Sequence, residues 1–177
     1  MVTLRDCETL SDAEIVDQVR AGEVALYEII LRRYNQRLFR IARSITGNDE
    51  EAEDVLQETY LHGYVHLDQF AGRAAFATWL TRIAIYAALA RKRRRQPLHD
   101  SFDALEERKV DSVKSPDRGP AQQTLDREAR ALLEAAIDTL PDDYRVVFVM
   151  REIEEMTTAE TAECLEITKQ NVKIKAA

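Results

Sequence analysis

Carboxylates, imidazoles and guanidinium groups are the side chains of this sequence whose spacing invites chemistry. Glu58, His62 and His66 stand at i, i+4 and i+8, on one face of a helix and within reach of a shared cation. No fourth ligand stands nearby and the paired Glu-x-x-His signature of helical carboxylate sites is missing, so two surface histidines are the simpler reading. Acids crowd the same region: six of the ten residues from Asp49 to Glu58 are Asp or Glu. Three or four acids at a helix start answer the macrodipole. Asp54 and Glu58 lie beyond the first turn, on a face that also carries Gln57, and remain unexplained by it. The opposite charge gathers in the five residues Arg91-Lys92-Arg93-Arg94-Arg95. That is more than a helix C-terminus needs, and it points to a polyanion. No nucleophile–base constellation and no glycine-rich phosphate loop stands out, so the chemistry expected is binding, without catalysis, metal or cofactor.

The basic run closes a helix predicted over Phe76–Arg95, with Phe76, Trp79, Leu80, Ile83, Ala84 and Ala87 at helical spacing. Aromatic residues interleaved with arginines after a glycine-bearing loop fit stacking on unpaired bases; a solvated basic tail also fits. Gly63 and Asp68-Gln69-Phe70-Ala71-Gly72-Arg73 read as turn and loop ahead of it. Upstream, Asn48 and Glu51 cap an acidic helix, and Ser11 and Glu14 have capping-box spacing ahead of Ile15, Val16 and Val19. Between them, Leu26, Ile29, Ile30, Tyr34, Leu38, Ile41, Ala42 and Ile45 make one long stripe, with Gly47 as its C′ residue. The polar side of that helix carries Arg32, Arg33, Arg37, Arg40 and Arg43. A solvated face is the plain reading of it.

Periodicity stops at Gln96, and Pro97, Pro116, Gly119 and Pro120 fall in a stretch of mixed charge that reads as a linker, residues 97–123. The chain is therefore expected to be all-α, two small helical domains at 1–96 and 124–177. The second resumes at Thr124 with Leu125, Ala129, Leu132, Leu133, Ala136, Ile137 and Leu140 as its stripe, and Pro141 starts the next helix. Val146–Met150 is an apolar run that in isolation fits a strand; its helical neighbours favour helix. Thr157 and Glu160 cap a short helix, and Thr168 caps a last one in which Val172 and Ile174 are expected to be buried. Two short helices joined by a brief turn outline a helix-turn-helix. The exposed Thr168, Lys169, Gln170, Asn171, Lys173 and Lys175 would then suit the major groove.

Composition limits the partners. Of 177 residues 45% are hydrophobic, enough for a packed core, and the net charge is −7. The sum hides patterning: residues 1–96 carry 14 acids and 14 bases, whereas 124–177 carry 12 and 7. Indiscriminate nucleic-acid binding is thereby disfavoured while a local basic face stays open. No apolar run approaches the roughly 18 residues of a membrane span, and the N-terminus shows no signal pattern, so a cytoplasmic protein without membrane insertion is expected. Cys7 and Cys164 form no CxxC pair and are expected as reduced thiols, Cys164 in the core.

Taken in order, RYNQRLFRIARSITGN (33–48), AEDVLQETYLHGY (52–64), LDQFAGRAAFATWLTRIA (67–84), ARKRRR (90–95), LPDDYRVVFVMREIEEMTTAETAECL (140–165) and NVK (171–173) resemble a bacterial RNA polymerase sigma factor. The likeness is to the extracytoplasmic-function (ECF) group of the sigma-70 family and covers almost the whole chain. It implies a transcription initiation factor that directs core polymerase to promoters. In such factors the helix matching Asp54, Gln57, Glu58 and Thr59 docks on the clamp helices of the largest polymerase subunit. The resemblance implies −10 element contacts for Gln69, Arg73, Arg82, Tyr86, Arg91, Arg93 and Arg94, with one base held out of the stack and Trp79 in the core. It places the second domain on the polymerase flap and the −35 element, threads the linker into the RNA channel, and implies an anti-sigma factor that masks these surfaces.

The chain departs from the family pattern at three places. Tyr86 stands where many relatives carry an amide residue that contacts the extruded base. Glu166 stands at a turn position where glycine is usual, and a left-handed conformation there costs a non-glycine residue about 1 kcal/mol. The last helix is short after Lys169, which implies fraying and fewer phosphate contacts. A sigma-like interaction protein with weak −35 binding is therefore a second expectation, and a free-standing helix-turn-helix regulator a third. The acidic balance of 124–177 speaks against the third.

Overall fold

Local signals set the first four helices. The structure, a computed structural model, describes residues 9–95 and 132–176; the expected linker at 97–123, the first turns of the helix expected from Thr124, and Cys7 lie outside the described residues. Helix α1 spans Asp12–Arg20 and opens on a reciprocal cap: the Glu14 amide donates to Ser11 Oγ (3.3 Å) and the Ser11 amide to the Glu14 carboxylate (2.8 Å). Those bonds from Ser11 hold the Glu14 carboxyl below the usual range. A 3₁₀ turn, Val24–Leu26, leads into α2, Tyr27–Thr46, which stops at Gly47 in the left-handed region, φ 68°. Asn48 accepts from the Glu51 amide at 2.9 Å and starts α3, Asp49–Val65. After a 3₁₀ turn at Leu67–Gln69 comes α4, Phe76–Arg95, with the bounds its apolar spacing predicts.

Helices α2, α3 and α4 pack on one another around Ile30, Leu38, Ile41, Val55, Leu80 and Ile85, all essentially inaccessible to water. Gly63 corrects one expectation. It lies inside α3, not in a turn, and its backbone approaches α4 so closely that a Cβ would sit 2.9 Å from Leu80 Cδ1 and 2.9 Å from the Tyr27 hydroxyl.

In the second half residues 132–138 are helical (α5), followed by α6, Asp142–Phe148. The run Val146–Met150 is helix, as its neighbours imply, and α6 continues into a π turn, Val149–Ile153. There the Glu154 amide bonds back to the Val149 carbonyl at 2.9 Å. Helix α7, Thr158–Leu165, repeats the reciprocal cap with Thr157 and Glu160. Thr168 Oγ accepts from the Asn171 amide (3.2 Å) at the head of α8, Lys169–Ala176. Val172 is buried as expected, but Ile174 is 60% exposed; α8 is apolar on too narrow a face to bury both. Among the described residues there is no strand.

The two halves meet. Helix α7 lies on α4, while α6 and the π turn lie on α2.

Candidate nucleic-acid interface

The loop between α3 and α4 is held from outside. The Arg20 guanidinium, at the end of α1, donates to the carbonyls of Leu67 (2.6 Å), Phe70 (2.6 Å) and Asp68 (3.4 Å). Three carbonyls turned to one cation fix a segment that makes few backbone bonds of its own. Beneath it Phe70, Phe76 and Trp79 form a ring cluster with centroids 5.1 to 5.5 Å apart, so the tryptophan belongs to the packing. This support leaves Gln69 and Arg73 on the exposed surface of the loop. Gly72, φ 67°, gives the turn that separates the two. Gln69 is steadied by His66, Nε2 to Nδ1 at 2.9 Å.

Arg82, Tyr86 and Arg93 follow on one side of α4, four and seven residues apart, and Arg93 and Arg94 are fully outward. Arg91 is different. It ion-pairs with Asp54 on α3, and Arg95 pairs with Glu51 at 3.1 Å. Asp54, expected toward polymerase, and Arg91, expected toward DNA, thus hold α3 and α4 together. The acid beyond the first turn of α3 has an intramolecular use.

Thr59 is the plainest correction among the expected polymerase contacts: it is fully buried and its hydroxyl donates to the Val55 carbonyl at 2.6 Å. Gln57 and Glu58 do face outward. Beside them Leu61 and Val65, 67% and 59% exposed, continue the same face at four-residue spacing. The sequence reading missed this pair, although apolar residues set off the core stripe were its mark.

On α8, Lys169, Gln170, Lys173 and Ile174 line a shallow open hollow, and Thr168 and Asn171 are exposed at its start. Lys175 turns away from it. Its ammonium pairs with Asp143 (3.0 Å) and lies 5.2 Å above the centre of the Tyr144 ring, because the α8 end packs on α6.

The arginine stripe of α2 divides: Arg32 and Arg33 stay on an exposed face, whereas Arg37, Arg40 and Arg43 reach acids of the second half. Arg32 pairs with Glu28 and Arg33 with Asp12 within the first half. Arg37 (3.6 Å) and Arg40 meet the buried carboxylate of Glu154, whose backbone carbonyl also accepts from Arg37 at 2.7 Å. Arg43 bridges Asp49 (2.6 Å) and Asp138 (3.4 Å). Glu154 is delivered by the π turn and followed by Glu155 in the left-handed region, φ 53°.

A matching set closes over α4. Glu166, φ 55°, accepts from the Tyr86 hydroxyl and from Arg82 at 3.3 Å; Glu163 lies 3.8 Å from Arg82, and Asp142 pairs with Lys92. Underneath, Cys164 Sγ lies 3.6 Å from the Thr78 carbonyl, and burial pushes the thiol up to about 12. One helical turn from Thr78 and from Cys164 respectively, Thr81 and Thr161 are both fully buried with hydroxyls that have no hydrogen-bond partner.

Residues 30–97 match the family model described as Sigma-70 region 2, and residues 130–177 match Sigma-70, region 4. The chain is 30% identical over 166 residues to the ECF RNA polymerase sigma factor SigW of Bacillus subtilis, covering 90% of this chain and 88% of SigW. It is 31% identical over 161 residues to the ECF RNA polymerase sigma-E factor of Escherichia coli K12, covering 88% and 83%. Among solved structures, CnrH in complex with the cytosolic domain of CnrY has a similar fold, with TM-score 0.63 and 21% identity over 93% of this chain and 88% of that one. RpoE of Bartonella quintana, in complex with the anti-sigma factor NepR, gives TM-score 0.61 and 16% identity over 84% and 88%.

Proposed function

The chain belongs to the ECF group of the sigma-70 family, and from that membership we propose that it is a cytoplasmic transcription initiation factor that brings core RNA polymerase to a promoter set. The observation that carries the reading is the pairing of region 2 and region 4 in order with an exposed loop and helix side suited to unpaired DNA. Residues 1–96 act as the polymerase-clamp and −10 domain, 97–123 as the linker, and 124–177 as the −35 domain.

Gln57 and Glu58, with the neighbouring apolar face of Leu61 and Val65, meet the clamp helices. Gln69 and Arg73, on the loop that Arg20 holds, and Arg82, Tyr86, Arg93 and Arg94 of α4 meet the −10 strand as it unpairs. Guanidinium groups neutralise phosphate, and the Tyr86 ring offers a face on which a base can stack. Thr168, Lys169, Gln170, Asn171 and Lys173 enter the −35 major groove from α8. The chain contributes recognition, and the reaction remains that of the polymerase. An anti-sigma partner is in keeping with the solved relatives of the same fold, which were captured in complex with CnrY and NepR.

Purified chain mixed with core enzyme should co-elute on a sizing column and support run-off transcription from selected promoters. Failure to associate with core would overturn the reading at its root. A sigma-like interaction protein with weak −35 binding remains the second reading, favoured by one observation: Lys175 is spent on Asp143 and Tyr144. A mobility shift with and without core enzyme separates the two, since only the initiation factor retards −35 duplex as a holoenzyme.

A further inference from the structure

We propose that Ile174 is a specificity-determining residue of α8 that reads the C5-methyl group of a thymine, an inference that rests on the −35 role given above to this helix. Ile174 is 60% exposed, although Val172, two positions back, has no exposed surface at all. It does not stand alone on the surface. It lines one open hollow with Lys169, Gln170 and Lys173, the side chains of α8 that the −35 reading sends into the groove. Asn171, also exposed, lies three residues before it and Gln170 four, so all three share one side of the helix. Folding gains nothing from an isoleucine at so exposed a position.

The packing of α8 makes this side the outward one. Val172 faces inward, where α8 lies on α6 and α7. The Lys175 ammonium is tied to Asp143 at 3.0 Å and lies over the Tyr144 ring, and Thr168 Oγ holds the first turn through the Asn171 amide. These contacts fix the rotation of the helix and keep Ile174 in water. Its branching at Cβ also stiffens χ1, so the side chain presents a fixed apolar surface with little rotamer freedom to lose.

Base edges in the major groove offer hydrogen-bond donors and acceptors and one apolar group, the thymine methyl. Lysine and glutamine answer the first kind. Among the side chains that line the hollow, only Ile174 answers the second. Gln170 suits an adenine, and Ile174 stands about 6 Å farther along the helix axis, roughly the span of one or two base steps at about 3.4 Å each. A thymine one or two steps from the base pair that Gln170 reads is therefore the expected contact.

Deoxyuridine pairs as thymine does and lacks only the methyl group, so it tests the contact directly. A −35 duplex is selected from a random pool by holoenzyme reconstituted from core polymerase and the full chain. It is then remade with each thymine in turn replaced by deoxyuridine. At one position the replacement should weaken binding about threefold to fivefold, the worth of one buried methyl group. Ile174→Ser should bind the unmodified duplex about that much more weakly, and should no longer distinguish thymine from deoxyuridine at that position. Ile174→Val keeps a branched apolar surface and should retain most of the discrimination. The thermal midpoints of both variants should match the parent, because the side chain is exposed, which separates a lost contact from a lost fold. Equal binding of every deoxyuridine duplex by the parent would overturn the proposal. So would a deoxyuridine effect of unchanged size in Ile174→Ser, which would give the methyl to another side chain. A pool that yields no preferred −35 sequence, with core binding intact, would overturn the −35 role of α8 itself.

Discussion

Gly63→Ala adds a single methyl group at the closest approach of α3 to its neighbours. In a helix interior the change by itself should stabilise by about 1 kcal/mol, since alanine has the better helix propensity. Packing opposes it. The new carbon would stand 2.9 Å from Leu80 Cδ1 and 2.9 Å from the Tyr27 oxygen, both well inside van der Waals contact. Leu80 has no exposed surface to move into, and the Tyr27 hydroxyl is engaged with the Tyr60 carbonyl at 3.0 Å. Overpacking of this kind costs about 1–3 kcal/mol, and a displaced buried hydroxyl costs about 1 kcal/mol more. The expected net is a loss of about 1–3 kcal/mol, a fall in Tm of about 3–9 °C for a chain of this size. Urea unfolding followed by the fluorescence of Trp79, whose ring lies 3.9 Å from the same point, reads it directly. In a Tyr27→Phe background, which removes the oxygen, the cost should shrink. If Gly63→Ala is as stable as the parent or more so, the glycine is only a weak helix residue and the close packing of α3 on α4 and Tyr27 is wrong.

Glu154→Ala leaves Arg37 and Arg40 without their shared carboxylate; because both arginines keep partial access to water, the loss in urea-measured stability should be about 1–2 kcal/mol, below that for a fully buried pair. Arg20→Ala frees three carbonyls of the loop ahead of α4 and should speed tryptic cleavage at Arg73 severalfold while thermal stability changes by about 1–2 kcal/mol; unchanged cleavage would mean the loop holds itself. Thr59→Val keeps the buried shape and should leave polymerase affinity within about twofold, at a stability cost of about 1 kcal/mol. Glu58→Ala, on the outward face, should weaken core binding in a pull-down, and the opposite pattern for these two would reverse their assignment.

What was legible in the chain was what is decided within one helical turn. Ser11 with Glu14 and Thr157 with Glu160 are pairs three residues apart whose geometry follows from their types, and Gly47 ends α2 because it tolerates φ 68°. The apolar spacing of α4 likewise decides which side of it is buried. The pairing of Arg37 with Glu154, 117 positions apart, leaves no local period, and the five arginines of α2 looked the same whether they faced water, DNA or protein. Asp54 illustrates the same limit. Its position beyond the first turn marked it as unexplained, but nothing local distinguishes a polymerase contact from an ion pair with Arg91. Gly63 failed in the other direction, since a glycine read alone signals a break and only the neighbours show that it is a point of close approach. Ile174 was misplaced because a short helix gives too few turns to tell a buried residue from its exposed neighbour.

The idle hydroxyls of Thr81 and Thr161 bear on how the surroundings of the protein weigh on it. Each forgoes a bond to water in the folded chain. Unfolding hydrates both, so it takes up solvent and is sensitive to how much solvent is free. Sucrose or other excluded osmolytes oppose the exposure of new surface and should raise the thermal midpoint.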